Sequence, residues 1–492
     1  MATERLDAIV VGANIEGLFA AAALARAGRY VAVFDAKVET ELATDGQDCF
    51  VELGAVAELD LVSHGLRLSG PSPIIGVASE HALILWPELQ SSQTSITAVS
   101  SRDADAYAGF CARIGRAAAL QGLARDGSLS NWHLSSGTNG EASKESVFLR
   151  SCSLERLLNE EFTNDLLKGM LAQGALIGTG ASQRMPGSAF LLTRQSLLSV
   201  FGFENSCRFV AGGEAQLKRA LLTLLKFYNT VDVHYGRGVK EIAVEKDIVQ
   251  AVSLIDGATV RAPVVISAVG FDATDVLLRN GNRGRLTRSA MLPPALVRFT
   301  TSAAPVVRGL NAATVSSNAT IRLNPSLSRL ARAHSAFHTR HLLHDYCLEL
   351  KVRPRTNEGG ALVWDVYVTV MYVPSATDEG PWTGNRRERF VAACAKTIEE
   401  WVPGFGASLV GATLIQPAEA QSFVEAEGPV PLGWQQIRDS SAIPEARAVD
   451  VSKVLKGLLT IEPSLFSGQG SGGLLAAQAS GLSKRVKAAS DA

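Results

Sequence analysis

The first thirty-five residues constrain this chain most. Asp7-Ala-Ile-Val-Val-Gly12-Ala-Asn-Ile-Glu-Gly17 leads into Leu18-Phe-Ala-Ala-Ala-Ala-Leu-Ala-Arg-Ala-Gly28, and Arg29-Tyr-Val-Ala-Val-Phe-Asp35 follows. The pattern reads as a buried strand, a glycine turn, an Ala-rich helix closed by a C-terminal glycine, and a second strand ending in an acid. That is the sequence of a dinucleotide-binding βαβ unit. Gly12 permits the tight turn and Gly17 lets the helix approach the sheet. The helix N-terminus offers N–H groups and partial positive charge to a pyrophosphate. Asp35 can accept both hydroxyls of an adenosine ribose, and its charge disfavours a 2′-phosphate, so FAD or NAD is expected over NADP. The middle glycine of the fingerprint is replaced by Asn14, whose Cβ takes up room near the phosphates; Asn tolerates unusual backbone angles better than most residues.

A chain of 492 residues implies more than one domain. A net charge of −1 gives no reason to expect a nucleic-acid or anionic-membrane partner. Met1-Ala-Thr-Glu-Arg-Leu lacks the apolar core of a secretory signal and no run is long enough to span a bilayer, so a cytoplasmic location is expected. The six cysteines (Cys49, Cys111, Cys152, Cys207, Cys347, Cys394) include no C-x-x-C pair and read as reduced thiols rather than a metal site or redox dithiol.

Further along, Phe50–Gly54 reads as a short strand after a polar loop, Glu39–Asp48. Gly127–Ser146 reads as an exposed insertion, and a helix begins at the cap Ser153. Phe209–Leu217 opens a helix through about Lys226. Val231–Ile242 and Ile248–Ile255 then form a meander with a turn at Asp256-Gly257, returning to a buried strand at Val264–Ser267. Leu362–Tyr372 is strand-like, Arg387–Trp401 helical, and Gly468–Gly473 opens a small-residue helix. No internal repeat is visible.

In this order the blocks resemble the FAD-dependent phytoene desaturase and amine oxidase superfamily. Within it they look closest to the branch of phytoene-desaturase-like dehydrogenases, carotenoid isomerases and pyridine nucleotide-disulfide oxidoreductase domain-containing proteins. The resemblance rests on the Gly12-Ala-Asn14 start, a form found in that branch, on Gly212-Gly213 followed by Leu217, and on Val239, where the family sets a valine against the adenine. It also rests on Ser153–Gln195 with Gly178-Thr-Gly and Pro186-Gly187. It implies an α/β fold: a Rossmann-type FAD-binding domain from residues 1–70, 205–290 and 425–492, interleaved with an α+β substrate domain from 71–204 and 291–424. FAD would be held by Gly12, Asn14, Gly17, Asp35, Val239, Gly472 and Gly473. The activity implied is that of an FAD-dependent oxidoreductase, dehydrogenase- or desaturase-like, passing a hydride from a small hydrophobic or amine-bearing substrate to flavin. Cofactor-borne chemistry needs no nucleophile from the protein, so no catalytic residue can be named.

Two departures touch the cofactor site. Thr40-Glu-Leu-Ala-Thr44 stands where the family has a glycine pair, and Glu462-Pro463 follows the last strand. They motivate one alternative, a degenerate flavoprotein serving as scaffold or partner subunit; the resemblance to carotenoid isomerases permits another, a flavin-dependent isomerase. A homo-oligomer or protein partner is left open. His334, His338, His341 and His344 follow at i, i+4, i+7 and i+10. They suit the polar face of a surface helix better than a metal site or proton relay, because Asp345 is the one carboxylate at ligand spacing, so no metal is expected. Trp364, Tyr367 and Tyr372 read as an aromatic set on one strand, in core packing or as a substrate wall.

Overall fold

The structure, a computed structural model, describes residues 6–38, 49–69, 73–79, 81–125, 140–193, 207–278, 294–310, 319–357, 359–416, 455–461 and 471–482. Two sheets organise it. The first has five strands in the order Leu458–Thr460 (β18), Val264–Ser267 (β12), Ala8–Val11 (β1), Val31–Phe34 (β2) and Val231–His234 (β8), all parallel. β1 and β2 are buried at every position, as strands sandwiched between layers must be. Helix α1 (Ile15–Arg26) crosses from β1 to β2. It is buried from Leu18 to Ala25 because its alanines let neighbouring helices approach on every side. Leu53–Leu59 (α2), Gly213–Leu225 (α8), Phe271–Leu277 (α9) and Ser471–Ala479 (α13) complete this half. Two small sheets flank it: Phe50–Glu52 (β3), Cys207–Val210 (β7) and Leu68–Ser69 (β4), paired β3-β7-β4, and Val239–Glu245 (β9), Ile248–Leu254 (β10) and Thr259–Val260 (β11), paired β11-β10-β9.

The second large sheet is mixed and seven-stranded. Its order is Leu409–Ile415 (β17), Ala295–Thr301 (β13), Leu362–Val370 (β16), Leu348–Thr356 (β15), Thr320–Leu323 (β14), Ile74–Ala78 (β5) and His81–Leu85 (β6). Register separates its two faces. Phe299 opposes Val366 and Val352 opposes Val366 on one face; Arg298 and Lys351 both oppose Tyr367 on the other. The apolar face shares a core with the helices Leu89–Thr97 (α3), Ser101–Arg125 (α4), Gly140–Ser151 (α5), Leu154–Glu161 (α6), Asp165–Leu176 (α7), Leu327–His338 (α10), Gly384–Trp401 (α11) and Phe405–Ser408 (α12). The architecture is the α/β class expected, a Rossmann-type sheet interleaved along the chain with an α+β half. No described helix is long and apolar enough to cross a membrane.

Three local expectations change. Residues 140–146 of the expected insertion belong to α5. The run Val231–Ile242 is two strands in two sheets, broken at Gly236 and Gly238. The turn expected at Asp256-Gly257 is present and joins β10 to β11, and the β9–β10 hairpin turns at Lys246-Asp247, both at positive φ. The aromatic set does not form one wall: Trp364 and Tyr367 point to opposite faces of β16, and Tyr372 lies beyond its end. The Thr40–Thr44 and Glu462-Pro463 readings lie outside the described residues.

Candidate functional site

β1, β2 and β12 end side by side, and the chain leaves β1 towards β2 on one flank and meets β12 on the other. This is a topological switch point, where open parallel sheets bind ligands beyond the carboxyl ends of their strands. Gly12 turns there at φ +98°, a conformation that favours glycine. A Cβ at Gly17 would stand 2.0 Å from the Gly12 carbonyl oxygen, so the helix reaches the loop only because residue 17 has no side chain.

Asn14 adopts an ordinary extended conformation (φ −75°, ψ 176°) and caps α1. Its Oδ1 accepts from the Gly17 N–H at 3.0 Å, and its Nδ2 donates to the Ala268 carbonyl at 2.6 Å. The residue that breaks the fingerprint therefore ties the loop to the end of β12, a role the glycine pattern gave no hint of.

Asp35 sits one residue past β2 and is already structured. Its Oδ2 accepts from the Ala13 N–H at 2.7 Å and its Oδ1 from the Lys37 N–H at 2.9 Å. Each carboxylate oxygen keeps a further lone pair for a hydroxyl donor. Beside it, sequence reasoning missed a set of residues that only long-range packing brings in. His234, at the end of β8, stacks on Phe34 at 4.9 Å and 16°. Burial, reinforced by Arg237, holds His234 below the usual histidine range. Lys218 of α8 is buried, and desolvation lowers its pKa against the opposing pull of Glu214 and Asp35. Ala36 and the exposed Ile255 crowd Gly238, where a Cβ would meet them at 2.9 and 2.7 Å, and make an apolar ledge next to the acid. Val239 starts β9 just beyond it.

The C-terminal glycines lie in the first turn of α13. Gly473 packs on α1: a Cβ there would stand 2.2 Å from the Glu16 carbonyl oxygen and 2.8 Å from the Ala20 nitrogen. Its N–H donates to Glu16 Oε2 at 2.7 Å. The structure thus brings Gly12, Asn14, Gly17 and Asp35 together around the loop and places Gly473 at a helix–helix contact behind it.

The described cysteines Cys49, Cys111, Cys152, Cys347 and Cys394 are buried thiols outside any disulfide. Burial pushes the Cys111 and Cys394 thiols up to about 12 and Cys347 to about 11, the state of inert thiols. The histidine series is broken. α10 ends at His338, Arg340 turns left-handed at φ +59°, and His341 pairs instead with Asp378 at 3.1 Å. Burial and the neighbouring His338 keep His334 below the usual range. Among the described residues no group of three His, Cys, Asp or Glu is placed to hold a metal ion.

No family model matches the chain. It is 25% identical over 489 residues to pyridine nucleotide-disulfide oxidoreductase domain-containing protein 2 of Rattus norvegicus, covering 84% of this chain and 82% of that protein. Among solved structures, an oxidoreductase from Methanosarcina mazei matches with TM-score 0.53 at 13% identity, over 96% of this chain and 99% of that one. Wild-type putrescine oxidase bound to putrescine matches with TM-score 0.54 at 14% identity, over 96% and 98%. The chain is therefore similar, over most of both sequences, to pyridine nucleotide-disulfide oxidoreductase domain-containing protein 2, and it shares the fold of these two solved structures.

Proposed function

We propose that the protein is an FAD-dependent oxidoreductase acting on a small hydrophobic or amine-bearing molecule. The observation that carries the reading is the cradle at the switch point: Gly12 turned at positive φ, α1 drawn onto it by Gly17, and Asp35 level with the loop at the end of β2. These features fit the adenosine diphosphate end of the cofactor. The first turn of α1 would face the pyrophosphate, Asp35 would accept the ribose hydroxyls, and Ala36, Ile255 and Val239 would flank the adenine. The FAD domain would comprise residues 1–70, 205–290 and 425–492, and the substrate domain 71–204 and 291–424. When bound, the flavin supplies a two-electron acceptor for a hydride from the substrate, while the protein's part is to hold, orient and exclude water. No side chain is assigned as a base.

Asp35→Ala tests the reading. Loss of a charged acceptor should weaken FAD binding, followed by flavin fluorescence, on the order of 10–100-fold. Unchanged affinity in a folded variant would remove Asp35 from the ribose.

A second reading, a cofactor-free scaffold or partner subunit, draws support from α13. Flavoprotein logic aims this helix N-terminus at the flavin ring, yet the Gly473 N–H is engaged by Glu16. A preparation that is colourless and stays so with added FAD would favour it; a yellow one favours the oxidoreductase or a flavin-dependent isomerase.

A further inference from the structure

Two histidines converge on the flank of α10, away from the nucleotide cradle. The helix is anchored by its cap, Ser326, whose hydroxyl accepts from the Arg329 N–H at 3.2 Å, and by the buried residues Leu330, Ala333 and Ala336. His334 and His338 stand one turn apart, the spacing that sets two side chains above one another on a helix. Their Nε2 atoms are 3.2 Å apart, and the rings meet at 70° with centroids 4.5 Å apart. His334 is held from behind, its ring against Tyr372 at 5.1 Å and 88°. Tyr372 is itself fixed: it is buried, sits at φ +58°, and donates its hydroxyl to the Ala181 carbonyl. His338 is exposed.

Imidazole nitrogens bind zinc at about 2.0–2.1 Å, so two of them on one cation stand about 2.9 Å apart at a right angle and about 3.4 Å apart at the tetrahedral angle. The observed 3.2 Å lies between these values, so a cation could join the rings with no change in the helix. A pair of histidines at i, i+4 on a helix is also the arrangement by which zinc is gripped in helix-borne sites.

We propose that His334 and His338 form a binding site for one divalent d-block cation that favours nitrogen ligands (zinc, nickel or copper), with water in the remaining positions. With two protein ligands the site is open on its solvent side and of modest affinity. Its effect is mechanical. Because His334 rests on Tyr372, and Tyr372 on Ala181, a cation on the pair stiffens the contact between α10 and the Gly178–Ala181 turn. Gly178, Thr179, Phe337 and Tyr372 also line a small cavity there.

The test is calorimetric titration of tag-free, chelator-treated protein with Zn²⁺, and separately with Ni²⁺. The wild type should bind one equivalent. His338→Ala, which removes an exposed ring, should weaken binding at least tenfold, and His334→Ala should do the same. His341→Ala should leave binding unchanged. Zn²⁺ should also raise the Tm of the wild type, reversibly with EDTA, and not that of His338→Ala. Absence of stoichiometric binding to the wild type overturns the proposal. So does binding that survives both single changes, or binding that His341→Ala abolishes. None of these readings depends on flavin.

Discussion

Asn14 shows how one side chain can meet two demands that the usual glycine meets with none. Glycine at that place would let backbone approach phosphate freely. Asn14 instead closes an open end of α1 and reaches across to β12, fixing the loop before any ligand arrives. Loss of a cap costs about 1 kcal/mol, and loss of a partly buried hydrogen bond a similar amount. Asn14→Ala should therefore lower unfolding free energy by about 1–2 kcal/mol in urea titrations, with the m-value unchanged. An unaltered midpoint would mean that neither bond persists in solution. The acid at position 35 was readable from its distance along the chain, because strand, helix and strand have fixed lengths. Its partners Ala13 and Lys37, and the nearby Lys218, were not, because they depend on where α8 and the loop come to rest.

At the scale of elements, the boundary between α6 and α7 turns on one carboxylate. Asp103, buried in the first turn of α4, accepts from the Thr163 N–H with both oxygens, from the Thr163 hydroxyl and from the Asn164 N–H. Burial alone would raise its pKa, but the hydrogen bonds from Asn164 and Thr163 outweigh it and hold it below the usual 3.8. A carboxyl depressed by folding stabilises fully above its unfolded pKa, and that stability is lost as pH falls through the folded value. Urea midpoints should accordingly hold steady down to about pH 5 and fall below it, with a smaller fall in Asp103→Asn. An equal fall in both proteins would show that other carboxylates govern the acid limb. Elements with local signals were legible here: the Ser153 cap, the buried strand Val264–Ser267 and the helix ending at Trp401 all stand where periodicity put them. The seven-stranded sheet was not, apart from β16. Its strands come from two separate stretches of chain, 74–85 and 295–415, and β5 pairs in parallel with β14 across the gap between them. The histidine series misled for a related reason. Spacing implies one face only while the helix continues, and the left-handed Arg340 ends it.

Across the whole molecule, both large sheets are assembled from distant stretches of chain, and the five-stranded one is completed last. β18 forms its edge and α13 lies on α1, so Leu459, Ile461, Leu474 and Ala477 join a core begun by Ala8, Val10 and Leu18. Gly473 sets the closeness of that contact. Alanine is the better helix former by about 1 kcal/mol, yet its methyl would have to displace backbone of α1 rather than a movable side chain. Overpacking of this kind costs about 1–3 kcal/mol, so Gly473→Ala should be destabilising on balance, as a lowered urea midpoint would report; a raised midpoint would show that α13 can slide. The bond from Gly473 to Glu16 spans 457 residues of sequence. A ribosome adding about 5–20 residues per second needs about 20–90 s to cover that interval. Throughout it, the side of α1 that α13 will cover stays bare, in a nascent chain whose glycine loop has long since been made. The glycine loop leaves the ribosome long before α13 does, so the stretch that carries the candidate site waits through that whole interval for the helix that covers it.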